Sequence, residues 1–174
     1  MKKYIEYYAN LYNLPVLLVW AIVQVESAGE IYAWRVEPPY RYLVDVNTGN
    51  PFRQLTPAEI ASEKAPSDFP AIGGLTSRDT EWWGQQASWG PMQIMGAVAR
   101  EYGFRGHFPE LCGEHGIDYG CRHLARLRDR FLRGGGGYRR VAAAFNAGSP
   151  RYTDDGKFVN QVYVDKVAAH GGFN

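Results

Sequence analysis

The chain has few cysteines, and this excludes a fold held together by a framework of disulfides. Only Cys112 and Cys121 occur among its 174 residues, which leaves open one local disulfide but no more. Histidines lie in the same stretch and form, with the cysteines, a pattern that suggests metal ligands: His107, His115 and His123. The spacings usual for zinc sites are absent, so we predict neither a metal site nor any other cofactor.

An excess of charge of either sign is also missing. The chain has 19 Lys and Arg residues against 18 Asp and Glu residues, a formal net charge of +1. It therefore lacks the basic footprint of a nucleic-acid binding protein, and no run of like charge indicates a membrane patch. Its longest apolar segment, 14–25, is too short to span a bilayer. We expect neither a nucleic-acid partner nor stable insertion into a membrane.

The N-terminal region differs from a secretory signal peptide. Lys2 and Lys3 give it a basic start, but a polar, tyrosine-rich stretch, 4–13, separates them from the apolar segment. We therefore expect a protein that is made without a cleavable signal. The length suits one domain with a sizeable core, and 45% hydrophobic and 21% charged residues are ordinary for a globular protein. We predict a single domain over 1–174 that acts as a monomer.

Hydrophobic periodicity predicts a mainly α-helical fold. Apolar residues recur at helical spacing over 14–25, with Asn13 as the cap, Pro15 in the first turn and Gly29 as the stop. Further helices are predicted over 3–12, 91–102, 118–133 with Asp118 as the cap, 138–146 and 158–169, with a flexible break at 134–137.

One long segment, residues 30–88, interrupts the helical pattern because prolines break it repeatedly. Within it, Thr56 and Glu59 have the spacing of a capping box, which predicts a short helix to about Lys64, and 78–86 forms another helical candidate. Long irregular segments are uncommon in compact domains and are often functional. We interpret this insert as a lid, as the wall of a groove, or as a small β element around 40–46.

Glu26 is the most informative residue, because it ends the apolar helix predicted after Asn13. Burying an ionised carboxylate without a partner is so unfavourable that the group usually takes up a proton instead. A carboxylic acid kept protonated near neutral pH is what general acid catalysis requires. We hypothesise that Glu26 is a catalytic acid. The alternative is that its side chain turns to solvent where the helix ends.

Four separated segments stand out around this residue. They are Glu26-Ser27, Ser88-Trp89-Gly90-Pro91-Met92-Gln93-Ile94, Ala143-Ala144-Phe145-Asn146-Ala147-Gly148 and Tyr163-Val164-Asp165-Lys166-Val167. In this order they resemble the lytic transglycosylases of the soluble type, which share a lysozyme-like fold with the goose-type lysozymes. Segment 116–127 is similar to the family's helix between its second and third motifs. The resemblance covers about 5–29 and 86–169 and leaves out the insert.

The chain departs from the family pattern in three ways. Pro91 replaces the usual Leu, and Phe145 replaces the usual Tyr, so a hydroxyl often found there is missing. These two changes are mild. The gap between Glu26 and Gly90 is much longer than usual, and it affects the shape and specificity of the groove.

The resemblance implies cleavage of peptidoglycan glycan strands at the β-1,4 bond from N-acetylmuramic acid to N-acetylglucosamine. Glu26 would protonate the leaving oxygen, because a sugar alkoxide departs poorly. In the family the substrate's acetamido oxygen supports the charge that builds at the anomeric carbon. The ionised Glu26 would then take the proton from the sugar's 6-hydroxyl, and a 1,6-anhydro end would form.

The same resemblance implies five substrate-binding residues. Ser27 would orient the site, or would merely cap the helix end. Met92 would line the groove, or would pack in the core as methionine commonly does. Gln93 would bind a sugar by hydrogen bonds, Asn146 would bind an acetamido or hydroxyl group, and the Tyr163 hydroxyl would point to Glu26 or to the acetamido group.

Two other functions stay open. A hydrolytic muramidase, or lysozyme, would need a second carboxylate to position water or to stabilise the cation, and the best candidates in the insert are Glu37 and Asp45. Further acids there are Asp68, Asp79 and Glu81. A non-catalytic wall-binding module is the other alternative, although an intact Glu26 argues against it.

A small wall-cleaving domain without a signal or a binding module fits a bacteriophage endolysin. Such a protein is made in the host cytoplasm and acts on the cell wall, in the periplasm, after release through a separate pore. A component of a virion or of a secretion machine is the alternative setting.

Overall fold

The computed structural model describes residues 1–37, 40–132 and 137–174, and this part of the chain is mainly α-helical. Its helices are α1 (Lys2–Leu11), α2 (Val16–Ser27), α3 (Pro57–Ile60), α4 (Arg78–Gln85), α5 (Gly96–Glu101), α6 (Glu114–Phe131), α7 (Gly137–Ala147) and α8 (Gln161–Ala169). A 3-10 helix spans Phe108–Leu111. The predicted helical class is confirmed. Of the predicted break at 134–137, only Gly137 lies within the described residues, and it begins α7.

Three short strands form one antiparallel sheet in the order β1 (Trp34–Val36), β2 (Ala87–Trp89) and β3 (Ile94–Met95). Trp34 pairs with Trp89, and Ser88 pairs with Met95. The small β element therefore begins at Trp34, and the prediction of 40–46 was wrong. The only pairing described in that stretch is an isolated bridge from Val44 to Pro51. The sheet joins the two ends of the insert beside the C-terminal end of α2.

The main core surrounds α2, which packs against α1 and α8. The buried residues of α2 are Leu18, Val19, Ala21, Ile22 and Val23. They contribute to a cluster with apolar residues of α1, α6, α7 and α8. A helix that is buried on most of its surface is held firmly by its neighbours. Its last turn therefore provides a rigid position for Glu26.

Asn13 was predicted to cap α2, but it follows Tyr12, the C-terminal cap residue of α1. It adopts a left-handed φ of +53°, which asparagine tolerates better than most residues. Its N–H donates to the carbonyl of Asn10 at 3.1 Å, and the N–H of Leu14 donates to that of Ala9 at 2.8 Å. This pair of bonds is the Schellman pattern that closes a helix. Pro15 then precedes α2 directly.

The insert has its own apolar cluster, in which its residues Leu43, Val44, Leu55, Phe69 and Trp82 pack with Ala97 of α5. A buried ion pair joins α4 to α5, with Arg100 Nε 2.8 Å from Glu81 Oε1. The capping box of Thr56 and Glu59 is confirmed, but α3 ends at Ile60, before the predicted Lys64. The insert is therefore packed against the rest of the domain.

The helix predicted over 91–102 is wrong in its first half. Gly90 and Gln93 have left-handed φ values of +69° and +46°, which turn the chain instead of continuing a helix. Residues Ile94–Met95 then pair with β2, and α5 begins only at Gly96.

Asp118 does not cap the long helix, because α6 begins earlier, at Glu114. The Asp118 carboxylate lies inside that helix and accepts hydrogen bonds from the Tyr12 hydroxyl at 2.6 Å and from Arg122 at 3.0 Å. It therefore links α6 to the end of α1. The last helix begins at Gln161, three residues later than predicted, since Phe158 forms an isolated bridge with Tyr152.

Candidate active site

Glu26 lies in a cleft of about 720 Å³ that opens beside the small sheet. The cleft brings together five of the predicted site residues, namely Glu26, Glu37, Gln93, Asn146 and Tyr163. They come from the end of α2, the start of the insert, the turn before β3, the end of α7 and the middle of α8. Residues far apart in the sequence therefore surround one space.

The Tyr163 hydroxyl donates a hydrogen bond of 2.7 Å to Glu26 Oε1. Tyr163 is only 9% exposed, so this contact lies largely away from water. Glu26 is thus directed into the cleft at a partner, not into bulk solvent. The hydrogen bond fixes one carboxylate oxygen and leaves the other without a bond to any described residue.

Burial raises the pKa of Glu26 to about 7. The Tyr163 hydrogen bond and the charge of Arg35 lower that pKa, whereas the charge of Glu37 raises it, but desolvation is the largest influence. Burial also raises the pKa of Tyr163 well above its ordinary value, so its hydroxyl keeps its proton. Near neutral pH, Glu26 can both give and take a proton.

Ser27 supports the site from outside the cleft. Its hydroxyl lies 2.9 Å from the carbonyl oxygen of Pro91 and 3.1 Å from that of Val23. It is not among the residues that line the cleft. The structure therefore places Ser27 as a link between the end of α2 and the turn at Gly90, and does not bring it to a substrate.

The turn that begins at Gly90 requires glycine. A Cβ atom at this position would lie 2.0 Å from the carbonyl oxygen of Leu111, and the left-handed φ disfavours any side chain. The Gly90 N–H donates to the carbonyl of Ala33 at 2.7 Å. The turn is therefore hydrogen-bonded to the segment before β1 and packs closely against the 3-10 helix.

Met92 does not line the groove, and that prediction was wrong. Its side chain is fully buried in the main core and packs so closely on α6 that a Cβ at Gly120 would lie 2.5 Å from its sulfur. The next residue, Gln93, lines the cleft. The turn therefore directs Met92 to the core and Gln93 to the cleft.

Gln93 is held by hydrogen bonds within the protein. Its Nε2 donates to the carbonyls of Gly90 at 2.9 Å and Ala33 at 3.1 Å, and its Oε1 accepts from Ser88 at 2.9 Å. This arrangement stabilises the wall of the cleft. One lone pair of Oε1 remains for a ligand, since an amide oxygen can accept two hydrogen bonds.

Asn146 is exposed at the end of α7. Its Oδ1 accepts a hydrogen bond of 2.9 Å from Asn160 Nδ2, and the same Nδ2 lies 3.0 Å from the carbonyl of Ala143. This contact orients the Asn146 amide. None of the described residues accepts a hydrogen bond from its NH₂ group, which is therefore available to a ligand in the cleft.

The two proposed auxiliary acids have different positions. Glu37 lines the cleft and accepts hydrogen bonds from Arg35 Nε at 2.7 Å and from the Ser88 hydroxyl at 3.4 Å. Asp45 is not among the cleft-lining residues, and its carboxylate accepts from the N–H of Asn47 at 2.8 Å in a turn. Only Glu37 shares the cleft with Glu26.

The other acids of the insert have structural partners. Glu81 pairs with Arg100 in the interior, and Asp68 binds Arg53 at the surface. Asp79 accepts from the backbone N–H of Ala65 at 3.1 Å. None of the three lines the cleft.

Sequence reasoning missed cleft residues on the small sheet and on α8, namely Trp34, Arg35, Ser88 and Lys166. Ser88 and Lys166 lie inside segments that the sequence singled out, but no role was assigned to them. Trp34 and Arg35 lie on a three-residue strand. Such a strand is too short to show the alternation that would reveal it.

Comparisons with models of protein families, with curated proteins and with solved structures find no match. Both cysteines are free thiols, so no disulfide joins them. Among the described residues, no group of three or more His, Cys, Asp and Glu side chains could hold a metal ion. None of the helices described is both long and apolar enough to cross a bilayer.

Proposed function

We propose that this protein is a lytic transglycosylase with a lysozyme-like fold. It cleaves the β-1,4 bond from N-acetylmuramic acid to N-acetylglucosamine in peptidoglycan and acts as a monomer. The contact of 2.7 Å between Tyr163 and Glu26 in a shared cleft carries this proposal, because it holds in place a carboxyl group whose pKa burial raises to about 7. The four sequence segments that resemble this family support it.

In the first step Glu26 acts as the acid. Its proton passes to the glycosidic oxygen as the bond from that oxygen to the anomeric carbon breaks. With a pKa of about 7, roughly half of the Glu26 carboxyls carry a proton at neutral pH. The substrate's acetamido oxygen supports the positive charge that develops on the sugar.

In the second step the same residue acts as the base. Ionised Glu26 accepts the proton of the 6-hydroxyl while that oxygen bonds to the anomeric carbon, which yields the 1,6-anhydro end. Tyr163 donates its hydrogen bond most strongly to the ionised carboxylate. Glu26 finishes protonated, so a single carboxyl group completes the cycle without consuming water.

The remaining cleft residues bind the glycan strand. The NH₂ group of Asn146 is available to an acetamido or hydroxyl oxygen of the sugar. Gln93 offers one acceptor site while it supports the turn, and Ser27 acts through that turn without touching the substrate. In this account the protein is an endolysin that acts in the periplasm after release, or a wall-opening component of a virion or secretion machine.

A hydrolytic muramidase is the second candidate, because Glu37 shares the cleft with Glu26. Its carboxylate would activate or position water for attack on the sugar, and the product would have a reducing end. The ion pair with Arg35 and the hydrogen bond from Ser88 engage Glu37 Oε1. That oxygen already accepts from two donors and is less free to bind a water molecule, which favours the transglycosylase.

A zymogram with purified cell walls tests whether the protein is an enzyme. The wild type should clear the walls, and Glu26→Gln should not clear them, while the two proteins share the same circular dichroism spectrum. Asp45→Asn is the matched control, since Asp45 lies outside the cleft, and it should clear normally. An absence of clearing by the wild type would contradict the enzymatic function and favour a non-catalytic wall-binding module. Retained clearing by Glu26→Gln would show that another acid is used.

A further inference from the structure

Trp34 lies in the cleft with Glu26 and is 60% exposed to solvent. A tryptophan side chain buries a large apolar area in most proteins, so an exposed one at a cleft indicates a ligand surface. The two segments of the chain that resemble the transglycosylases do not include this residue. Its role must therefore be inferred from its surroundings.

A ladder of three aromatic rings holds the indole of Trp34 in place. The ring centroid of Trp34 lies 5.8 Å from that of Trp89 at an interplanar angle of 17°, and Trp89 stacks on Phe108 with the same distance and angle. Trp89 Nε1 also donates to the carbonyl of Gly84 at 2.9 Å. Phe108 is buried, which anchors the ladder in the interior.

Backbone pairing adds to this support, because Trp34 and Trp89 are direct partners across β1 and β2. Trp89 stacks against the Trp34 indole, and Trp34 still has 60% of its surface exposed. A flat ring that is already oriented loses little conformational freedom when a ligand covers it.

The chemistry around this ring fits a carbohydrate. The face of a pyranose ring presents C–H groups that pack on an aromatic surface, and its edge presents hydroxyl groups that need polar partners. The cleft supplies both, since charged and amide groups of Arg35, Lys166 and Asn146 line it together with Trp34. A purely apolar ligand would cover the Asn146 NH₂ group and the Lys166 ammonium without offering either of them a hydrogen bond.

We propose that Trp34 is a sugar-stacking residue that binds one pyranose ring of the glycan strand in a subsite beside Glu26. This inference rests on the proposed function for the identity of the sugar chain. Trp34 belongs to the insert, so in this proposal the insert supplies one wall of the groove.

Calorimetric titration with chitotetraose, a chain of β-1,4-linked N-acetylglucosamine, tests this subsite. The protein is the Glu26→Gln variant, so that binding is measured without cleavage. Adding Trp34→Ala should weaken binding about tenfold, the loss expected for one aromatic stacking partner. Trp34→Tyr should restore most of the affinity, because a smaller ring still offers a flat face.

Trp20→Ala in the same background is the matched control. Trp20 is 38% exposed on α2 and does not line the cleft, so its removal should leave the affinity unchanged. Thermal melting of each variant shows whether it is folded. Three results would each overturn the inference. They are equal affinity with and without Trp34, equal losses of affinity for Trp34→Ala and Trp20→Ala, and no binding by the Glu26→Gln protein.

The outcomes separate this inference from the proposed function. If binding depends on Trp34 but the wild type does not clear cell walls, the sugar subsite is supported and the proposed enzymatic activity is contradicted. If the wild type clears cell walls but Trp34→Ala does not change the affinity, the enzymatic activity is supported and the subsite is contradicted.

Discussion

The hydroxyl of Tyr163 donates a hydrogen bond of 2.7 Å to the carboxylate of Glu26 across a separation of 137 residues. Tyr163 thereby lowers a Glu26 pKa that burial raises. The proposed chemistry needs a carboxyl group that is first an acid and then a base. A pKa of about 7 allows Glu26 to act as both near neutral pH.

Tyr163→Phe should move the pH profile and slow the reaction. Loss of the hydrogen bond raises the pKa of Glu26 further, so the alkaline fall of activity shifts to higher pH. The maximal rate should drop about tenfold to a hundredfold, because a hydrogen bond to the ionised carboxylate is lost. Turbidity clearing of purified peptidoglycan across pH measures both effects.

Tyr8→Phe is the matched control for this substitution. The Tyr8 hydroxyl makes a bond of the same length, 2.7 Å, to Glu114, and neither residue lines the cleft. Its rate and pH profile should match those of the wild type. A Tyr163→Phe variant that behaves like Tyr8→Phe would remove Tyr163 from the mechanism.

Glu37→Gln should separate the transglycosylase from the lysozyme. If water is not the nucleophile, activity persists and the alkaline limb moves to lower pH, because a negative charge that raises the pKa of Glu26 is gone. The movement should be less than about one pH unit, since this charge is the smallest of the causes. Loss of clearing, while Asp45→Asn clears normally, would favour the hydrolase.

Glu26→Gln should make the protein more stable at alkaline pH. The pKa of Glu26 is about 7 in the folded protein against an ordinary 4.5, so its contribution to stability is lost as the pH rises through about 7. The full effect is about 3 kcal/mol at most, because one pKa unit corresponds to about 1.4 kcal/mol. Melting temperatures should show a gain over the wild type at pH 8 that is absent at pH 4. An equal difference at both pH values would mean that Glu26 is not buried.

Gly90→Ala should destabilise the fold by about 3 kcal/mol or more, because the new Cβ would meet the carbonyl of Leu111 and the backbone is left-handed. Gly103→Ala is the matched control. Gly103 also has a positive φ, +84°, but nothing lies within 4 Å of its Cβ position, so we expect a loss of about 1 kcal/mol. Urea unfolding measures both. Equal losses would show that the contact with Leu111 is unimportant.

The sequence predicted the central helix and the acid in its last turn, Glu26, because an apolar helical period and an acid near its end are local signals. The association of Glu26 with Gln93, Asn146 and Tyr163 followed from a motif resemblance, and the structure places them in one cleft. The distances between these residues and the raised pKa of Glu26 depend on tertiary packing and burial, which a local sequence pattern does not predict.

The errors have physical causes of the same kind. Asn13 has the side chain of a helix cap, but its tolerance of a left-handed φ made it the end of α1. Asp118 resembles a cap as well, yet Tyr12 and Arg122 satisfy its carboxylate inside α6. Met92 lies next to Gln93, and only the geometry of the turn decides which of them enters the cleft.

Mass spectrometry of the products from purified peptidoglycan tests the central claim most directly. The wild type should release fragments with 1,6-anhydro ends, each lighter by one water than the reducing sugar, and Glu26→Gln should release none. Fragments that carry the added water, or anhydro products from the Glu26→Gln protein, would contradict the account.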